Sequence, residues 1–157
     1  MGLTVILAID PGTAQSAWVA FDAEQQVVID SGIQPNEELV AQLRIGLFPD
    51  RRVAVIEKIE SYGMAVGAEV FETVWWSGRF AEALHPLPVI RLPRRAVKLA
   101  ICGDTRAKDP NIRQALLDRF GGKAAQGTKR APGPLYGIHG DLWAALAVAV
   151  TYAETLR

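Results

Sequence analysis

A mixed α/β sheet with helices on both faces is the fold class that this 157-residue sequence predicts. Three observations carry it. Three β-rich runs separated by turn residues fill the first 33 positions. A segment with helical spacing then leads into a wholly apolar strand. From there on, helical patterns dominate, with one more short strand between them.

Residues 3 to 9, opening on Leu3, form a continuous β-rich run, and Ser16 to Phe21 and Val27 to Ile33 form two more. Pro11, Gly12 and the Asp22 to Gln26 stretch separate them, which reads as an antiparallel meander. After Pro35, the residues Leu39, Val40, Leu43 and Leu47 have helical spacing, with Asn36 as the cap and Glu37 and Glu38 in the first turn. Arg52 to Glu57 follows as a short buried strand. The helix before it makes it parallel to the first strand through a crossover connection.

A long helix is expected from about Met64 to Leu84, ending at His85-Pro86, on the pattern Val66, Val70, Val74 and Phe80 with Trp75 and Trp76. Val89 to Leu92 is the last strand, Arg94 to Ile101 a short helix, and Pro110 to Phe120 a further helix capped by Asp109. Gly121 to Gly133 reads as the one long loop. A loop of that size in a compact domain is usually functional or mobile. The final helix is expected from about Gly140 to Leu156, and residues 1–157 are read as one domain.

Half of the chain is of hydrophobic type, enough for a real core and against disorder. Its single cysteine, Cys102, excludes an internal disulfide framework and a Cys-rich zinc site, and the default for it is a buried small hydrophobe. The start MGLTVILAID has neither a basic flank nor a cleavage signature, and Leu142 to Val150 is too short for a membrane span. A cytoplasmic location is the expectation. The formal net charge of zero hides a strong asymmetry: Arg91 to Arg130 holds eleven Lys and Arg against three Asp and Glu, while the rest of the chain holds six against fourteen. A nucleic-acid binder whose acidic end holds cations needs such polarity, although chance clustering of surface charges also produces it.

Three acidic residues stand at the ends of apolar runs: Asp10, Glu57 and Asp141. A carboxylate at the lip of a buried element is costly unless paired or coordinated, so the three point to a shared site for hard divalent cations. A pair of Mg²⁺ ions held there suits phosphodiester cleavage, one serving the attacking water and one the leaving oxygen. Taken singly, Asp10 is also a plain turn aspartate before Pro11-Gly12, and Asp141 a plain helix N-terminal residue. Glu57 has no comparable local role.

The stretches Ala8-Ile9-Asp10-Pro11-Gly12-Thr13, Val55-Ile56-Glu57, Arg95-Ala96-Val97-Lys98 with Gly103, and Ala145 to Thr151 resemble the RuvC family of Holliday junction resolvases. The likeness spans nearly the whole chain. Ser61-Tyr62-Gly63-Met64 with Val66-Gly67, the Glu72-Thr73 to Gly78-Arg79-Phe80 block, Asn111 to Leu116, and Gly133-Pro134-Leu135-Tyr136-Gly137 resemble its phage-type branch. The resemblance implies a ribonuclease H-like fold with sheet order 3-2-1-4-5 and a homodimer acting in the cytoplasm of a bacterial host. It also implies paired symmetric nicking of four-way DNA junctions with two Mg²⁺ per site, Mn²⁺ being a plausible substitute.

Asp10 and Glu57 match the family's first two acidic ligands. Bacterial members carry two further acids three residues apart; aligning the Ala-Leu-Ala run puts Asp141 at the first and Ala144 at the second, leaving one carboxylate missing. Glu60, Asp104 or His139 are candidates to compensate, unless three ligands suffice, and His139 is also a candidate proton shuttle or simply a loop residue. Glu60 also stands where bacterial relatives have an aromatic that stacks at the junction centre, so Tyr62 becomes the candidate wedge, a core role being the competing assignment. Of Trp75 and Trp76, at least one is expected in the core or a dimer seam. Arg94, Arg95, Lys98, Arg106, Lys108 and Arg113 are candidate phosphate contacts, and Lys129 and Arg130 a candidate clamp.

Three other functions compete. A sugar-kinase or actin-like phosphotransferase shares the Asp-x-Gly-Thr loop after a strand, but needs two such domains and further nucleotide loops. A flap or branched-DNA nuclease would use the same site. A junction-binding dimer that has lost cleavage is motivated by Ala144.

Overall fold

The computed structural model describes residues 4–46 and 51–157. Leu3 and Leu47, read above as strand and helix residues, lie outside the described residues. Five strands, β1 (Val5–Asp10), β2 (Gln15–Asp22), β3 (Val27–Pro35), β4 (Arg51–Lys58) and β5 (Val89–Pro93), form one sheet in the order β3-β2-β1-β4-β5. β1, β2 and β3 pair antiparallel, whereas β4 is parallel to both β1 and β5. The expected order and the expected meander are therefore both present.

Alternation along the strands decides what each face buries. Ile6 and Ala8 of β1, Ala17, Val19 and Phe21 of β2, and Val53 and Val55 of β4 enter one core. Val5, Leu7 and Ile9, Trp18 and Ala20, and Ala54 and Ile56 enter the other. Covered on both faces, the central strands read as unbroken apolar runs. Helices α1 (Asn36–Ile45) and α2 (Ala68–Leu84) cover the second face; α3 (Arg94–Cys102), α4 (Asp109–Arg119) and α5 (Leu142–Glu154) cover the first. Helix α5 is buried around nearly its whole circumference and lies across β1 and β2, which is why its sequence is apolar on every side. Among the described residues, no helix is long and apolar enough to cross a membrane.

Several boundaries and caps differ from expectation. Asn36 is the first residue of α1 rather than its cap; Pro35 holds that position. The Asn36 side chain is buried instead, accepting a hydrogen bond from Ser16 Oγ (2.6 Å) and donating to the Gly12 carbonyl (3.0 Å), while Ser16 Oγ accepts the Gly12 N–H (3.0 Å). This network fastens the turn after Asp10 to the start of α1. Gly12 is required there, because a Cβ would lie 2.2 Å from the Gln15 carbonyl oxygen.

Helix α2 begins at Ala68, not Met64: Tyr62 (φ 51°) and Gly63 (φ 80°) reverse the chain and Gly67 is extended. Asp109 is the first residue of α4, and its side chain is not the cap; the Lys108 N–H is received by Asn111 Oδ1 (2.9 Å). α5 runs from Leu142 to Glu154, with Asp141 immediately before it. The Gly121 to Gly133 stretch is not an open loop. It holds a 3₁₀ turn, α4 being followed by Gly122–Ala125, and a bridge between Gly127 and Pro132. Gly133 packs so closely that a Cβ would sit 2.2 Å from the Ala125 carbonyl oxygen.

Both sheet edges are irregular. β3 is shifted in register between Ala20 and Phe21 of its neighbour, and β5 has only five residues and ends at Pro93.

Candidate active site

The strand register brings the first two acids together. Ala8 faces Val55 and Ile9 faces Ile56, so Asp10 and Glu57 follow at adjoining strand ends. Both continue the alternation of the α5-covered face, 6-8-10 on one strand and 53-55-57 on the other, so their side chains leave the sheet on the same side. Asp141 is delivered to that side by the N-terminus of α5. Its side chain makes no capping hydrogen bond and lines the cleft, as do Glu57 and His139. The cleft measures about 670 Å³, and its other walls include Arg94, Asp109, Arg113, Gln126, Trp143 and Ala144.

The electrostatics are those of crowded negative charge. The carboxyl of Asp10 is held well above its usual range, first by burial and then by the charges of Glu57 and Asp141, with Arg94 opposing. Glu57 is only 6% exposed and is also raised by burial, Arg94 being the largest opposing influence and Asp109 adding to the rise. Arg94 Nη1 lies 3.6 Å from Glu57 Oε1, and Arg94 Nη2 forms an ion pair with Asp109 Oδ1. The Lys98 charge also favours ionised Glu57. His139 holds the Gly137 carbonyl through Nδ1 (2.8 Å), which leaves Nε2 as its second polar atom.

Oxygen donors whose charge is under-compensated suit a hard divalent cation. Asp10, Glu57 and Asp141 are the residues that would hold it. Among the described residues, no three Asp, Glu, His or Cys side chains are gathered closely enough to hold an ion as they stand. Arg94 lies against Glu57 and opposes the rise in its pKa without cancelling it. From sequence alone Asp109 is expected only to cap α4. Its place beside the other acids follows from how α3 and α4 return to the strand ends, and no local signal in the sequence carries that.

The remaining candidates divide clearly. Arg94 and Arg113 line the cleft, Arg113 lying 5.4 Å over the Trp143 ring. Arg95, Lys108, Lys129 and Arg130 are exposed, and Arg106 pairs with Asp104 at 3.4 Å. Glu60 is not among the cleft-lining residues and pairs with Lys58 at 3.1 Å. Tyr62 is exposed on the turn before α2, not buried in the core. Trp76 packs against Phe80 with Arg79 over its ring, whereas Trp75 is 64% exposed.

Sheet order and helix layers are those of the solved structures that this chain matches. The structure matches RuvC from Thermus thermophilus with a TM-score of 0.70 at 20% identity, over 98% of this chain and 96% of that one. T. thermophilus RuvC in complex with a Holliday junction substrate gives 0.67 at 19% identity, over 98% and 95%. The yeast mitochondrial Holliday junction resolvase gives 0.58 at 14% identity, over 97% and 78%. No protein-family model matches the sequence, and no curated protein matches it. At these identities the likeness is one of fold.

Proposed function

We propose that this chain is a divalent-metal-dependent, structure-specific DNA endonuclease that resolves four-way junctions by paired symmetric nicks. The observation that supports the reading is that Glu57 and Asp141 line one cleft while Asp10, at the strand end adjoining Glu57, feels the charge of both, in a chain that shares the fold of RuvC. Two Mg²⁺ ions, or Mn²⁺ in their place, would supply Lewis-acid activation of water and of the leaving oxygen. The chain's own residues do the rest. Asp10 and Glu57 give up protons to become donors, His139 at the cleft edge is the candidate proton shuttle, and Arg113 and Lys98 attract the phosphate backbone. Arg95, Arg106, Lys108, Lys129 and Arg130 extend that positive surface outward and position DNA without reading its sequence. Tyr62 is the wedge at the junction centre, its exposure supporting that role.

Two symmetric nicks require two sites related by a two-fold axis, hence a homodimer. The exposed apolar row Phe71, Val74 and Trp75 on α2 supports this, since such a face is unusual on a monomer. A synthetic four-way junction incubated with Mg²⁺ tests the reading directly. Paired nicks from the parent and none from Asp10→Asn or Asp141→Asn are expected. Cleavage that survives both substitutions rules out the site, and faster cutting of flaps in competition assigns the flap nuclease.

Ala144 and the Arg94 contact to Glu57 favour one second reading, a junction-binding dimer without cleavage. Tight junction binding with no nicking in either Mg²⁺ or Mn²⁺ would establish it.

A further inference from the structure

Arg94 stands where a metal-dependent carboxylate centre has least use for a positive charge. It is the first residue of α3, directly after β5, and β5 pairs with β4 so that Leu92 faces Glu57. The guanidinium therefore emerges beside the Glu57 carboxylate, 3.6 Å away, and its other arm reaches Asp109 on α4. The two acids differ in kind. Glu57 is nearly closed to solvent, whereas the Asp109 side chain is 77% exposed. Arg94 itself is 41% exposed and lines the cleft.

A planar fork with five donors can hold two carboxylates at once, which an ammonium cannot. Leaving Glu57 costs such a group little, because its second partner keeps it anchored and solvent reaches it.

We propose that Arg94 is a displaceable internal counter-cation: it neutralises Glu57 while no divalent cation is bound, and yields Glu57 to the cation when one enters. Released from Glu57 but still tethered through Asp109, the guanidinium faces the cleft and offers its free donors to a DNA phosphate. Arg94 is a positioning residue in this scheme, acting through its contact with the Glu57 carboxylate. The inference rests on the nuclease reading above and adds to it that metal affinity without DNA is deliberately weak, rising when a phosphate takes up the arginine.

The test measures Mn²⁺ binding to the DNA-free protein by calorimetry and by the electron paramagnetic resonance signal of free Mn²⁺. Parent, Arg94→Met and Arg94→Lys are compared, the last keeping the charge and serving if the methionine variant folds poorly. Arg94→Met is expected to bind Mn²⁺ about tenfold more tightly, the low end of what a neighbouring opposite charge does to a carboxylate's proton affinity. Arg94→Lys should lie between the two, since an ammonium holds one carboxylate at a time. Junction affinity of Arg94→Met, measured with Ca²⁺, should fall, with a salt dependence about one phosphate contact shallower. Equal or weaker Mn²⁺ binding by both variants, in a parent that cleaves junctions, overturns the role of Arg94 alone. Absence of Mn²⁺ binding and of cleavage in all three proteins overturns the nuclease reading and this inference with it.

Discussion

Replacing Asp10 by Asn should make the metal-free protein more stable while abolishing cleavage. The two carboxylates at adjoining ends of β1 and β4 sit on strands about 4.8 Å apart. Two full charges about 5–6 Å apart at an effective dielectric constant near 20 repel by roughly 3 kcal/mol. Arg94 offsets part of this, screened by its own exposure, so the relief on neutralising Asp10 is about 1–2 kcal/mol. For a chain of 157 residues that is a rise in Tm of roughly 2–8 °C, at about 2–4 °C per kcal/mol. The sign follows from the raised carboxyls. The folded state holds protons on Asp10 and Glu57 that the unfolded chain releases, so stability is lost as pH climbs from the ordinary carboxylate range through the raised values. The gap between Asp10→Asn and parent should therefore be near zero at low pH and complete above the raised range. The assay is thermal melting in chelator across that pH range, repeated with excess Mg²⁺. Magnesium should lift the parent and leave the variant almost unmoved. A variant that melts at or below the parent in chelator at every pH above the ordinary carboxylate range would refute the crowded-charge account of the site.

Three further outcomes are expected. Asn36→Ala leaves buried Ser16 Oγ without its acceptor and frees the turn at Gly12, so denaturant unfolding should show a loss of about 2 kcal/mol. Phe71→Glu with Trp75→Glu should leave the fold intact by circular dichroism but convert a homodimer to monomer in sedimentation analysis; a dimer that persists would exclude the α2 face. Mn²⁺ affinity of the parent should rise with pH through the raised range of Asp10 and Glu57 and level off above it, since the donors must first lose their protons. An affinity that stays flat as pH rises above the ordinary carboxylate range would contradict that linkage.

The sheet was legible because its central strands are apolar on both faces and end in turn residues, and because the segment between β3 and β4 has helical spacing. Those are local signals. The three acids were legible for the same reason, each interrupting an apolar run at its end. What stayed hidden depends on partners distant in sequence. Asn36 has the composition of a cap, yet its side chain is claimed by Gly12 and Ser16, more than 19 positions earlier. Asp109 likewise suits a helix start, and only the packing of α4 against α3 shows that it shares Arg94 with Glu57. The glycines between 121 and 133 read as flexibility, whereas Gly133 is there because carbonyl oxygens come too close for any side chain.

The irregular sheet edges constrain how copies of this chain can meet. A long, flat, unpaired outer strand invites another copy to continue the ladder and, by repetition, to grow a filament. The register shift beside β3 twists one rim, and β5 is too short and too soon stopped by Pro93 to template much on the other. Stacking by backbone pairing is thus discouraged at both rims. Self-association is left to side-chain surfaces, which can close on themselves at a fixed stoichiometry instead of propagating.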